Sequence, residues 1–316
     1  MKIVFFGTPE YVLPILTSLH KKFVTGPGKS PIEAVVTQSP KPVGRAQLKE
    51  YSAIDKWGFE HKIPVYYSSM ELLKEGTDAD LGILAAFSEI IPPEVIKLFP
   101  NGILNIHPSL LPKLRGASPI QGTILTEDST SGVTIMKMDE KLDHGQIISQ
   151  FKDEIKPDDT TGSLRTRLFE RSAEVLVEML EPYLDGKIKL KTQDESDVTT
   201  TRKITKEDGR IPGLILADTL QGSPFKGAWK IDFVKDFETV PTPILLDKFI
   251  RAMYPWPEAW TMVKVVPTAE PKRLKILKSH LGETTGILEI DEVQMEGKTP
   301  VSWKQFTAAY PEAKFS

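Results

Sequence analysis

The chain contains no cysteine. That absence removes disulfides, thiolate nucleophiles and thiolate metal sites, and it makes a cytoplasmic location the expectation. Histidine is scarce too: His20, His61, His107, His144 and His280 show no HExxH-type spacing, so no metal is expected. No run approaches the roughly 20 uninterrupted apolar residues that a membrane helix requires. The opening MKIVFFGTPE, whose apolar run stops at Gly-Thr-Pro, reads as a buried first strand instead of a signal sequence, and no membrane is expected as a partner. The phosphate-cradling Gly-x-Gly-x-x-Gly is missing after that strand, which disfavours a dinucleotide-dependent oxidoreductase. A positive excess is missing as well. The formal net charge of −3 argues against a protein that coats nucleic acid, yet it leaves room for one RNA recognised by a local cluster of cations.

What is present is enough chain, 316 residues, for two domains of ordinary size. Strand-like runs at 2–6, 32–37, 81–87, 102–106 and 133–138 alternate with amphipathic stretches, which predicts an α/β domain with a doubly wound, Rossmann-like parallel sheet. Thr8 and Pro9 have the chemistry to cap and start the first helix. A long helix is expected near 163–180. After it, 187–206 is polar and aperiodic and reads as a linker. Residues 207–316 hold strand candidates at 260–266, 274–278 and 287–290 and cap-then-proline helix starts at Thr242-Pro243 and Thr299-Pro300. They read as a small OB-like β-barrel. The expected organisation is 1–186, catalytic; 187–206, linker; 207–316, the second domain.

The chemistry concentrates in Asn105-Ile106-His107-Pro108-Ser109-Leu110-Leu111-Pro112, followed by Arg115-Gly116. Asn105 and His107 stand two apart at a strand end, so their side chains share one side. Such ends are where ligands bind in open α/β sheets. Asp143, in Leu142-Asp143-His144-Gly145, lies just after the next predicted strand and 36 residues beyond His107, about one β-α-β excursion, which can return it beside His107. An Asn, a His and an Asp in one cleft suit acyl transfer to an amine. Asn105 and an imidazolium at His107 can hydrogen-bond the oxygen that turns negative, while Asp143 orients the ring and helps carry a proton from the nitrogen. Taken singly, His107 reads as the cap of a strand and Asp143 as the cap of a turn; the combined pattern reverses that reading.

Asn-x-His with Ser-Leu-Leu-Pro, Arg-Gly-Ala, Gly-Val-Thr-Ile-Met-x-Met-Asp and Leu-Asp-x-Gly together resemble the 10-formyltetrahydrofolate-dependent formyltransferases. The likeness extends to the branch acting on methionyl-tRNA through Phe6-Gly7-Thr8-Pro9, Lys203-Ile204, Gly209-Arg210-Ile211, the stretch 250–260 and Gly297-Lys298-Thr299-Pro300. The resemblance implies catalytic roles for Asn105, His107 and Asp143. It implies folate binding by Phe87, Ser88, Glu89, Ile90 and Ile91 and by Ser109, Leu110, Leu111 and Pro112, although plain core packing explains the two leucine side chains equally well. It also implies 10-formyltetrahydrofolate as co-substrate, initiator methionyl-tRNA as partner, and a monomer.

The turn at 38–49 carries Lys41, Arg45 and Lys49 and no acid, and is long for a β-to-α connection. Read alone, it is a solvated loop or one whose cations meet phosphates. By the resemblance it contacts the tRNA acceptor end, with Arg45 at the key position. Lys272, Arg273, Lys275 and Lys278 form a second cationic cluster. Strand alternation places Lys272 and Lys278 on the side of Leu274 and Ile276, and a solvent face is the simpler reading. Trp256 and Trp260 are expected in the barrel core or in interdomain packing instead of as base-stacking platforms. Pro108, the Ala86-Phe87-Ser88 run and Gln146 depart from the family's usual pattern and bear on the folate pocket. The rival acceptor is an amino-sugar nucleotide. A formate-releasing hydrolase would need no cationic loop, and a non-catalytic RNA binder would have no need for the Asn-His-Asp set.

Overall fold

In the first half of the chain, unbroken aliphatic runs form strands that are covered on both faces. The structure is a computed structural model and describes residues 1–316 apart from 25, 27, 28, 44–46, 128, 224, 226, 267 and 269. Parallel pairing joins β1 (Ile3–Gly7), β2 (Ile32–Val36), β3 (Val65–Tyr66), β4 (Leu81–Ala85) and β5 (Ile103–His107) in the order β3-β2-β1-β4-β5. Every residue of β1, β4 and β5 is buried. Strands packed by helices on both faces have no solvent side, so their sequences do not alternate. The strand order reverses at β1, between β2 and β4, which opens the usual ligand crevice at the C-terminal ends. β6 (Thr130–Lys137) runs antiparallel to β5, and β7 (Gln146–Glu154) lies beyond it at the edge. The alternating, half-exposed pattern of β7 and the two-residue length of β3 explain why apolar runs do not reveal them.

Local chemistry fixes the entries to the helices, with two corrections. Thr8 does not cap the first helix. A 3-10 turn, Glu10–Val12, starts after Pro9 without a side-chain cap and leads into α1 (Leu13–Phe23). The Thr8 hydroxyl instead accepts from Gln38 N at 3.3 Å and Thr37 Oγ1 at 3.4 Å, tying down the loop that leaves β2. The helix α2 (Ala53–His61) is capped by Ser52, whose Oγ accepts from Asp55 N at 3.0 Å. The long helix is α3 (Thr161–Leu184), with Leu164, Leu168, Leu176 and Leu180 fully buried.

Two compact units emerge, and the chain passes between them more than once. The first comprises Met1–Arg115, Gly132–Asp153 and Arg165–Val198; the second comprises Gly116–Ser131, Glu154–Leu164 and Thr199–Ser316. Residues 187–206 are polar but engaged: Lys191 bridges to Ile147, and Gln193 is buried within the first unit.

The second unit holds a five-stranded sheet, β11-β10-β9-β8-β12, built from β8 (Ala259–Lys264), β9 (Lys272–Leu281), β10 (Leu288–Met295), β11 (Val301–Ser302) and β12 (Lys314–Phe315). Its strand pairings are all antiparallel. The helix α4 (Pro243–Met253) begins where Thr-Pro predicts, with Thr242 Oγ1 accepting from Leu245 N at 3.1 Å. Thr299-Pro300 does not start the last helix. Ser302 does, through a capping box with Gln305 at the head of α5 (Trp303–Ala309). The expected alternation in β9 also fails midway. Register shifts flank Lys278, so Ser279 follows Leu274 and Ile276 inward while Lys278 faces solvent. Ser279 then donates to the buried Asp247 Oδ1 at 2.9 Å, an interaction a lysine could not replace there in the same shape. Trp260 is core, as expected, and donates to Lys206 O at 2.9 Å, but Trp256 is 50% exposed. Among the described residues no helix is long and apolar enough to cross a membrane.

Candidate active site

Asn105 and His107 lie two apart on β5, so the pleat turns both toward the turn that follows β6. There Asp143 adopts the left-handed region, φ 48°, which Asp tolerates better than most residues. Gly145 closes the turn so tightly that a Cβ would sit 1.9 Å from Lys137 O. Asn105 Nδ2 donates to Asp143 Oδ1 at 3.2 Å, and His107 Nδ1 lies 3.6 Å from the same oxygen. The three residues are 8%, 4% and 7% exposed. On its far side, His107 Nε2 faces Leu114 O at 3.0 Å; a carbonyl only accepts, so this nitrogen carries the hydrogen. The imidazole is therefore held between a carbonyl and a carboxylate, and its Nε2 hydrogen is committed to Leu114 instead of pointing at an incoming oxygen.

The loop after His107 is fastened by side chains. Ser109 N donates to His107 O at 2.8 Å, and Ser109 Oγ donates to Lys113 O at 2.6 Å. Thr134, directly opposite His107 in the β5–β6 register, donates to Ser109 O at 2.7 Å and accepts from Leu111 N at 3.0 Å. Gln150 Nε2, from β7, donates to Thr134 Oγ1 at 2.9 Å and to Leu111 O at 2.8 Å. Leu111 packs with Met136 and Ile147, and Leu110 covers Gly132, where a Cβ would meet its Cδ2 at 2.5 Å. Core packing thus accounts for both leucine side chains, and Ser109 spends its hydroxyl on the loop. Pro112 is half-buried. Thr134 and Gln150 escape a motif search, although a hydroxyl inside the otherwise apolar Val-Thr-Ile-Met run is the available signal, because a buried polar group needs a partner.

The segment after β4 divides its residues. Phe87 meets the ring of Phe6 edge-on at 5.9 Å, and Ile91 is buried, whereas Ile90 is 87% exposed. Glu89 accepts from Ser69 N at 3.2 Å and from the Ser69 hydroxyl, and Ser88 accepts from Gln38. A cavity of about 420 Å³ is lined by Gln38, Lys41, Tyr67, Phe87, Ser88 and Glu89, among others. Burial first, and the hydrogen bond with Asp55 second, push the Tyr67 phenol up to about 12, so it stays a neutral donor. A larger cavity, about 640 Å³, runs along α2 past Ser52, Lys56 and Trp57. Asn105, His107 and Asp143 line neither; the bigger hollow is not where the candidate chemistry sits.

The cationic loop forms a short hairpin in which Lys41 faces Glu50 and Pro42 faces Lys49. Both lysines are exposed. Arg45, the other cation expected here, lies outside the described residues. In the second unit, Arg273 stacks over Trp260 with its guanidinium carbon 4.0 Å from the ring centroid, and Lys275 pairs with Glu258. Among the described residues no cluster of three or more His, Asp or Glu is arranged to hold a metal ion.

Residues 1–180 match the family model for formyl transferases. The chain is 33% identical over 326 aligned residues to the methionyl-tRNA formyltransferase of Chloroflexus aggregans, covering 96% of this chain and 95% of that one. It is 35% identical over 289 residues to the enzyme of the same name from Listeria monocytogenes, covering 90% of this chain and 80% of that one. Among solved structures, the fold is similar to a sugar 3N-formyl transferase crystallised with dTDP and 5-N-formyl-THF, at TM-score 0.63 and 19% identity over 95% of this chain and 99% of that one. It is similar also to methionyl-tRNA formyltransferase from Clostridium thermocellum, at TM-score 0.55 and 15% identity over 93% of this chain and 98% of that one.

Proposed function

The chain belongs to the formyl transferase family, and from that footing we propose that it transfers the formyl group of 10-formyltetrahydrofolate to the free amino group of initiator methionyl-tRNA. The product is N-formylmethionyl-tRNA for translation initiation. The observation that carries the chemistry is the convergence of Asn105 and His107 on one carboxylate oxygen of Asp143. The near full-length likeness to relatives named for methionyl-tRNA supports the acceptor.

10-Formyltetrahydrofolate supplies a carbonyl carbon open to attack by an amine. Asn105 gives one amide hydrogen to Asp143 and has a second to offer the carbonyl oxygen as it becomes negative. Asp143 Oδ1 accepts the proton shed by the attacking nitrogen and passes it to the folate nitrogen as the bond from that nitrogen to the formyl carbon breaks, so that tetrahydrofolate leaves as a neutral amine. His107, anchored through its Nε2 hydrogen by Leu114 O, turns the Nδ1 lone pair toward that same oxygen and shares the proton while Asp143 holds it. Burial of all three makes each interaction stronger than it would be in water.

The cavity beside Phe87 and Tyr67 fits a flat heteroaromatic ring: it combines aromatic walls with the polar groups of Ser88 and Glu89. Ile90, Ile91 and the Ser109–Pro112 loop complete the folate side. Lys41, Arg45 and Lys49 meet phosphates of the acceptor end. In domain terms, 1–186 carries the chemistry, 187–206 joins, and 207–316, as an OB-like module, holds tRNA. The enzyme acts as a cytoplasmic monomer and uses no metal.

A formyl-transfer assay with charged initiator methionyl-tRNA, an amino-sugar nucleotide and water as parallel acceptors tests this. Formylation of the tRNA alone is expected. Transfer to the sugar nucleotide, or formate release, would keep the Asn-His-Asp chemistry and overturn the acceptor.

A further inference from the structure

One buried side chain reaches the site from a segment that looks idle in sequence. Gln193 is 6% exposed. Its Nε2 donates to Asp143 O at 2.8 Å and to Gly145 O at 2.8 Å. Its Oε1 accepts from Arg115 Nε at 3.1 Å and Nη2 at 2.8 Å. Both amide hydrogens and both oxygen lone pairs are thus spent, which leaves the side chain a single orientation. Arg115 is held in turn from outside: Nη2 donates to Glu195 Oε1 at 2.7 Å and Nη1 to Oε2 at 3.3 Å. Glu195 also lies 3.6 Å from His144 Nε2, and His144 Nδ1 is 2.5 Å from Asp139 Oδ2.

This network closes around the turn that presents Asp143. That turn has a left-handed residue at 143 and a glycine pressed on Lys137 O at 145, so it holds its shape against backbone cost. The two carbonyls that Gln193 grips belong to those same two residues. A hydrophobic side chain at 193 would leave both buried carbonyls and one edge of Arg115 without these bonds. A carboxylate would keep Arg115 but oppose the carbonyls with oxygen lone pairs.

We propose that Gln193, oriented by Arg115, is a positioning residue that clamps the 143–145 turn and thereby sets the Asp143 carboxylate against Asn105 and His107. This rests on the formyl-transfer reading above for its kinetic test only. The structure points to an amide, and no other side chain, as the group that can donate twice to carbonyls while accepting twice from a guanidinium.

The test is Gln193→Glu in the full-length chain, assayed for formyl transfer and by side-chain ¹⁵N NMR of His107. Losing the clamp should lower kcat by about tenfold to a hundredfold with KM for folate within twofold, as displacement of a catalytic group by about 1 Å does. The His107 Nδ1 resonance should shift. In an Asp143→Asn background the same change should cost less than twofold, because the group it positions is already disabled. Unchanged kcat and an unmoved His107 spectrum would overturn the proposal, as would full additivity with Asp143→Asn, which marks a merely structural role. If Gln193→Glu does not fold, Arg115→Lys replaces it: a single ammonium cannot bond the amide oxygen from two nitrogens, and kcat should fall about threefold to tenfold; wild-type kcat would reject the clamp. A wild type that transfers no formyl group would sink the functional reading, while the NMR comparison would still decide the clamp.

Discussion

Two loops leave the C-terminal ends of parallel strands in one sheet and differ in almost every physical respect. The loop after β5 turns Ser109, Leu111 and Leu114 inward and is fastened by side chains: Ser109, Leu111 and Thr134 exchange hydrogen bonds, and His107 and Asp143 are both held from behind. The loop after β2 extends as a hairpin whose lysines stand in solvent. Catalysis needs atoms fixed to within fractions of an ångström before the substrate arrives, whereas recognition of a polyanion needs charge that can follow phosphates. The difference between the loops is the difference between those two demands.

Breaking the buried loop should cost most. Asn105→Ala should lower kcat about a hundredfold to a thousandfold, with folate affinity in equilibrium titration nearly unchanged. His107→Ala should do the same; near-normal turnover in either would remove its assigned role. Next comes Thr134→Val, which keeps the shape but strands the buried Ser109 O and Leu111 N, while the exposed Gln150 keeps its bond to Leu111 O. Leaving buried partners unsatisfied costs about 1–3 kcal/mol each, so a drop of about tenfold in kcat/KM for folate and a lower melting temperature are expected. Equal kcat/KM would mean that the loop's shape is held by its packing alone.

Changes in the exposed hairpin should be smaller and of another kind. Lys41→Ala with Lys49→Ala should weaken tRNA binding severalfold, leave folate binding alone, and flatten the slope of log K against log salt by about 1.4–1.8 for two lost phosphate contacts. A slope identical to wild type would take the hairpin out of the interface. The smallest effect belongs to the second unit. Burial alone would raise the Asp208 carboxyl, but the Arg202 hydrogen bond and those from Thr205 outweigh it and hold the carboxyl below its ordinary value. A depressed folded value means the stabilisation is present above the unfolded pKa of about 3.9 and is lost as pH falls through the folded one. Because Arg202 is half-exposed, Asp208→Asn should cost only about 0.5 kcal/mol near neutrality in denaturant melts. The cost should vanish at strongly acidic pH; a difference that persists there would assign the effect to packing.

Much of this contrast is legible in the sequence, and what is not has physical causes. The strands at 3–7, 81–85 and 103–107 announce themselves because burial on both faces forces continuous apolar runs. Asn105, His107 and Asp143 stand out because polar residues at the end of such a run are costly unless used. β7 is concealed by its half-exposed alternation, and Lys278 by a bulge that no composition encodes. Thr8 and Thr299 carry the chemistry of a helix cap, but a cap is decided by where the chain turns, and Thr8 is taken by the loop at 37–38. Gln193 is invisible for the opposite reason: a glutamine in a polar stretch carries no signal until the fold brings it under Asp143.

The hydroxyl of Thr134 also determines how fast the loop after β5 breathes. Leu111 is a loop residue, yet its amide hydrogen is bonded to that hydroxyl beneath a buried side chain. Water reaches it only when β6 and the loop part together. In deuterium, the Leu111 amide should therefore exchange on the timescale of the central strands, and by that clock the loop belongs to the sheet.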